Sequence, residues 1–236
     1  MIIIKGKHSV LEALQSPIRC IEISYISQKN THEFKDILSI AQQKNVPVNV
    51  YDKSKFEKEF KLSGHQNIVA KINDIPTKPL SSISAEKDHI IVALDHLEDP
   101  YNVGAIMRTC EGLGIKNIIL PKNRQAPLNS GVIKASSGAA YYLNIIQVSN
   151  IAQSINECRK KGFWILGMDS NTGADLSQFE PPLPVIVVMG NEHKGISNIV
   201  SKSIHTHINI PMKGNIDSLN VSVSAGIILH HLTRLL

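Results

Sequence analysis

The sequence predicts an α/β protein of two domains, a small α/β unit over residues 1–75 and a larger parallel-sheet domain over residues 89–236. Three observations predict it. From His89 onward, short and almost wholly apolar stretches such as IIVALD, NIILP and VIVVM alternate with helical ones, the pattern of a parallel sheet covered on both faces. A chain of 236 residues suits a domain of about 80 residues beside one of about 150. Between them, residues 76–88 are rich in proline and serine with only short apolar segments, the composition of a linker.

The elements follow in order. In residues 1–75, HSVLEALQ reads as helix, CIEISYIS as strand, THEFKDILSIAQQKN as helix, VPVNVYD as strand, KSKFEKEFK as helix and NIVAKIN as strand. In residues 89–236 the strands are HIIVALDHL, NIILP, YLNIIQV, FWILGMD, PVIVVMG and HTHINIP. The helices are VGAIMRTCEGLG, LNSGVIKASSG, NIAQSINECRKKG, GISNIVSKS and SLNVSVSAGIILHHLTRLL. Ligands of such sheets bind in the loops after the strand C-termini, so chemistry is sought there.

Bulk composition narrows the setting. The formal charge is +5 with a pI near 9.0, and residues 1–75 hold 11 Lys/Arg against 8 Asp/Glu, so the basic excess leans toward the N-terminal unit and permits a polyanionic partner. Cys20, Cys110 and Cys158 are widely spaced with no CxxC pair and read as buried thiols in a reducing compartment. The N-terminal run of three isoleucines is too short for a signal-peptide core, and no apolar run approaches the roughly 20 residues that cross a bilayer. A cytoplasmic protein without a membrane partner is expected. His205 and His207 alternate on a strand and His230 and His231 are adjacent on a helix, so neither pair has the i, i+4 spacing of a helical metal site; no catalytic metal is expected.

Three loops carry unusual residues. In HLEDPYNVGAIMRTCEGLGI, Asn102 is read as the cap of a helix starting at Val103 whose apolar face is Val103, Ile106, Cys110 and Leu113; Arg108 falls off that stripe, placed either to grip a phosphate or to sit in solvent. In GNEHKGIS, the G-x-x-x-x-G spacing imitates a nucleotide-hydrolase P-loop, but Ile196 follows Gly195 where the lysine must stand. What remains is a tight turn delivering Glu192 toward a helix N-terminus, as ligand contact or as a favourable first-turn acid. In MKGNIDSLNVSVSAG, Ser218, Asn220, Ser222 and Ser224 gather where a long helix starts, more polar groups than one cap needs.

Taken together the loops resemble the SpoU, or TrmH-like, family of SPOUT RNA 2′-O-ribose methyltransferases. The match runs through NVGAIMRTCEGLGI, PKNRQAPLN, VVMGNEHKGIS and INIPMKGNIDSLNVSVSAGI, in the family's order, across residues 89–236. GKHSVLEAL and GHQNIVAKI look like the ribosomal-protein-like RNA-binding domain of the RlmB subgroup, which methylates a guanosine ribose in large-subunit rRNA; the TrmH tRNA enzymes lack that domain.

The resemblance implies S-adenosylmethionine as cofactor, a trefoil-knotted catalytic domain, a homodimer, and ribosomal RNA as partner with tRNA as second choice. It places cofactor contacts at Gly190, Ile210 and Leu219, and active-site positions at Asn102, Arg108, Glu192, Ser218 and Asn220, with no metal. Two roles stay open for Arg108: the base that the family's proposals make it, or an electrostatic anchor, since the pKa of a guanidinium stays above about 12. His193 and Lys194 depart from the small or acidic residues common beside the pocket, and Tyr141 stands where an acid is common. Rival readings are a binding protein of ribosome assembly that has lost catalysis, and an antibiotic-resistance rRNA methyltransferase marking another nucleotide.

Overall fold

A computed structural model describes residues 1–27, 31–61, 64–85, 89–169 and 173–236. The N-terminal unit runs β1 (Ile2–Lys5), α1 (Lys7–Gln15), β2 (Cys20–Ile26), α2 (Lys35–Gln43), β3 (Val48–Tyr51), α3 (Lys53–Phe60) and β4 (Ile68–Ile72). Its four strands lie in the order β1-β4-β2-β3, mixed in direction, with β2 and β3 parallel. The three isoleucines form β1, an edge strand antiparallel to β4, with Ile4 buried. Packing of Phe56 and Phe60 on Ile26 and Val69 closes the sheet face carrying α3.

The segment read as a linker carries structure of its own. Thr77–Lys78 form β5, which pairs in parallel with a strand of the large sheet, and Ile83 is buried in that domain's core; residues 86–88 lie outside the described residues. The larger domain continues β6 (Ile90–Asp95), α4 (Pro100–Gly112), β7 (Asn117–Pro121), α5 (Ser130–Ala135), β8 (Asn144–Val148), α6 (Ile151–Lys160), β9 (Trp164–Met168), β10 (Ala174–Asp175), β11 (Val185–Gly190), α7 (Asn198–Ser201), β12 (Thr206–Asn209) and α8 (Val221–Thr233).

Every pairing in this sheet is parallel, in the order β10-β12-β9-β11-β6-β7-β8-β5. All six residues of both β6 and β11 are buried, as expected of strands covered on two faces. From β6 the chain steps outward through β7 to β8, then crosses to β9, and β11 returns beside β6. That reversal makes the C-terminal ends of β6 and β11 the switch point where such sheets hold ligands.

Helices α4, α5 and α8 pack on one face. Gly104 lets α4 and α5 approach closely: a Cβ there would lie 2.4 Å from the Ala135 Cβ and 2.8 Å from the Val132 carbonyl oxygen. The same core continues into the N-terminal unit through Ile4, Val10, Leu14 and Ile72, so the two domains share one apolar interior. Tyr141 belongs to it, 7% exposed, and its hydroxyl has no hydrogen-bond partner among the described residues. An unpaired buried hydroxyl costs about 1–3 kcal/mol. Tyr141→Phe is therefore expected to raise stability by about 1 kcal/mol, read as a shifted urea midpoint at unchanged slope.

Cys110 and Cys158 are buried, and burial pushes their thiols up to about 12 and about 11. Cys20 is only half-buried, because it sits at an irregularity in the β2–β4 pairing; burial still raises it to about 11. No helix among the described residues is long and apolar enough to cross a membrane.

Candidate active site

The site starts where β6 and β11 end side by side, Asp95 in register with Gly190. The chain then doubles back through a turn closed by two backbone hydrogen bonds of 2.9 Å between Asn191 and Gly195. Gly190 makes this return possible: a Cβ built on it would lie 2.3 Å from both the Gly195 carbonyl carbon and the Ile196 nitrogen. The Asn191 side chain braces the turn from within, its Oδ1 accepting from the His193 and Lys194 amides at 3.0 and 3.2 Å. Its Nδ2 donates to the His96 carbonyl at 2.8 Å and ties the turn to the tip of β6.

Helix α4 starts earlier than its sequence suggests. Asp99 is the cap, accepting from the Tyr101 amide at 2.9 Å, and Pro100 takes the first turn, where a missing N–H costs nothing. Asn102 is consequently no cap. It lies inside the first turn, 8% exposed, and uses both ends of its amide: Nδ2 donates to Glu192 Oε1 at 3.2 Å, and Oδ1 accepts from Asn220 Nδ2 at 3.0 Å. Asn220 does cap α8, its Oδ1 accepting from the Ser222 amide at 2.8 Å and hydroxyl at 2.6 Å. One chain of hydrogen bonds thus links three loops that are far apart in sequence.

Glu192 is not a first-turn acid either. The next helix, α7, is a four-residue element entered at Ser197, and Glu192 belongs to the turn before it. The second and third loops, with the end of β9, surround a cavity of about 750 Å³, within the range of small-molecule sites. Gly190, Glu192, Ile210, Ser218, Leu219 and Asn220 all line it. Asn102 stands behind the wall, bonded to two of its members. Arg108 does not line it: exposed on α4, it has no hydrogen bond or ion pair among the described residues.

His193 and Lys194 stand exposed on the lining, while Tyr141 belongs to the core between the domains. His205 stacks on Trp164 and accepts the Ile165 amide at 2.9 Å, and His231 meets the Phe179 carbonyl. His207 lies on the lining beside Ser201. Sequence reading missed His207, Met168 and Met212 on the lining, and it missed Asp95, although an acid closing an otherwise apolar strand was a signal. Among the described residues no three His, Cys, Asp or Glu are grouped to hold a metal ion.

A polar cavity at the switch point of a parallel sheet, walled by backbone turns, a carboxylate and an amide, defines a ligand-binding α/β domain. Residues 89–230 match the SpoU rRNA Methylase family, and residues 3–77 match the family of RNA 2′-O ribose methyltransferase substrate-binding domains. The chain belongs to the SpoU methylase family.

A Staphylococcus haemolyticus protein assigned to the TrmH family of tRNA/rRNA methyltransferases is 32% identical over 238 residues, spanning 99% of this chain and 95% of that one. Its Staphylococcus aureus counterpart is 33% identical over 239 residues, spanning 98% and 95%. Among solved structures, an AdoMet-bound rRNA methyltransferase from Sinorhizobium meliloti superposes with a TM-score of 0.81 at 23% identity, covering 100% of this chain and 87% of that one. A TrmH/SpoU tRNA modifying enzyme from A. aeolicus is 30% identical with a TM-score of 0.56, covering 63% of this chain and 75% of that one.

Proposed function

We propose that the protein methylates a ribose 2′-hydroxyl in RNA using S-adenosylmethionine, with a guanosine of large-subunit rRNA as its target. The observation that carries this reading is the Asn102–Glu192–Asn220 chain, in which Asn102 behind the wall holds together two polar residues that line the cavity from different loops. The cavity suits the cofactor by size. The cradle at Gly190 puts strand-end backbone on its wall, and Ile210 and Leu219 add apolar surface to it.

Gly190, Ile210 and Leu219 would hold the cofactor. Bound there, it supplies a methyl group already activated on a sulfonium. Glu192, Ser218 and Asn220 would position the ribose, and Asn102, with both amide ends engaged, fixes Glu192 and Asn220 relative to each other. The chemical burden is the hydroxyl proton. A guanidinium is a poor base but a permanent cation, so Arg108 serves as an anchor for the adjoining phosphate and for the charge growing on oxygen.

Arg108 lies on the exposed row of α4 that also carries Tyr101, 69% exposed, and α8, which packs on α4, leaves Val223 and Ile227 half-exposed. Apolar surface at that seam favours a homodimer with the active site near its interface. The knot belongs to the same reading: after β12 the chain returns past β11 to α8 on α4. The protein would act in the cytoplasm.

The N-terminal domain favours rRNA over tRNA, because the Sinorhizobium meliloti rRNA methyltransferase covers 100% of the chain and the tRNA modifying enzyme 63% of it. A cleft of about 220 Å³ where the domains meet is lined by Lys5 and Lys134 beside a His8–Glu12 pair, so lysines there can meet the RNA backbone. Mapping 2′-O-methyl groups in rRNA and tRNA from cells with and without the gene tests this. Loss of one methylated guanosine in large-subunit rRNA is expected; loss confined to tRNA would overturn the target, and no loss in either would overturn the reaction.

A further inference from the structure

Asp95 is a carboxylate 1% exposed at the end of an apolar strand, and the proposed chemistry does not use it. Burying a charge is costly unless partners replace its water. Asp95 has two: Oδ2 accepts the Ser197 amide at 2.7 Å, and Oδ1 lies 2.7 Å from His96 Nδ1. These contacts are unequal in reach. His96 is the next residue, whereas Ser197 is 102 residues away, just past the turn that carries Glu192.

The turn is consequently tied to β6 at both ends. Asn191 secures its near end through the His96 carbonyl, and Asp95 secures its far end through Ser197. His96 takes a left-handed backbone conformation, φ 62°, in making both contacts. The close return of Gly195 and Ile196 over Gly190 is held between these ties.

We propose that Asp95 is a positioning residue for the cofactor: its buried carboxylate pins the far end of residues 190–197 to β6, holding Gly190 and Glu192 in place on the cavity wall. This rests on reading the cavity as the S-adenosylmethionine site. Asp95 acts through the Ser197 amide, so removing either partner should have the same consequence. Ser197 has φ −63°, which the proline ring adopts, and its side chain makes no cap hydrogen bond, so Ser197→Pro removes that N–H without removing a cap.

The test is a double-mutant cycle on S-adenosylmethionine affinity, measured by calorimetry on the full chain. D95A and S197P should each raise Kd by about tenfold or more, and the double variant should be no worse than D95A, because both remove one charged hydrogen bond. D95N should stay within about threefold of the native protein, since its amide can accept from Ser197 and donate to the His96 ring. Amide hydrogen exchange of the ligand-free protein gives a second readout, independent of the cofactor reading. In D95A the amides of residues 191–197 should exchange faster while those within β6 and β11 stay protected. Additive effects in the cycle, or unchanged exchange in the turn, would overturn the proposal. A native protein that binds no S-adenosylmethionine would instead remove the cofactor reading, and the exchange experiment would still decide the role of Asp95.

Discussion

Gly190→Ala should weaken S-adenosylmethionine binding by about 10²-fold or more and leave the protein folded, because the substituted methyl meets backbone rather than a movable side chain. It would lie 2.3 Å from the Gly195 carbonyl carbon and the Ile196 nitrogen and 2.6 Å from the Gly195 oxygen. Relief requires lifting the whole turn. Overpacking of this kind costs roughly 1–3 kcal/mol, and about 2.7 kcal/mol is a hundredfold in affinity. Gly190 is the last residue of β11, so Val185 to Met189 keep their buried places and the melting transition should move by only a few degrees. Lifting the turn also moves Glu192 from Asn102, so turnover at saturating cofactor should fall too. Calorimetry paired with a thermal melt checks this. A Kd within about threefold of the native value would mean that Gly190 does not form the cofactor wall.

How far the sequence showed this arrangement depends on the range of each interaction. Strands β6 and β11 are legible because burial on both faces leaves an unbroken apolar run. β1 is concealed because a four-residue edge strand has no period to measure, and its status comes from β4, about seventy residues on. β5 and β10, of two residues each, carry no pattern at all. The start of α4 was misplaced though locally readable, since Asp99 before Pro100 is a stronger entry signal than Asn102. Gly190, Ile210 and Leu219 came from resemblance alone, and they share the cavity lining with Glu192, Ser218 and Asn220. The hydrogen bonds joining Asn102 to Glu192 and to Asn220 span 90 and 118 residues, distances at which spacing holds no information. The tie from Asp95 to Ser197 is hidden for the same reason.

Arg108 separates residue type from position most clearly, and its replacement by alanine should lower methyl transfer by about 10²–10³-fold, the usual cost of losing one group that stabilises a developing anion. Cofactor affinity should stay within about threefold, because Arg108 is not on the cavity lining. Its exposed guanidinium, unpaired among the described residues, shares a helix row with Tyr101, and α8, packed on the same helix, leaves Val223 and Ile227 half-exposed. If a second copy covers that surface, Arg108 serves the neighbouring cavity rather than its own. The two arrangements differ in a mixing experiment. When the impaired R108A and G190A chains are unfolded and refolded together, half the molecules of the proposed homodimer are mixed. A mixed dimer has one intact site only if Arg108 crosses the interface: the R108A subunit keeps its cofactor cavity and receives the arginine of its G190A partner. About a quarter of native activity should then return. With arginine supplied within each chain, neither site of the mixed dimer is complete and no activity returns. Mixed dimers verified by mass and still inactive would place Arg108 at its own chain's cavity. Unchanged turnover of R108A alone would remove Arg108 from the reaction.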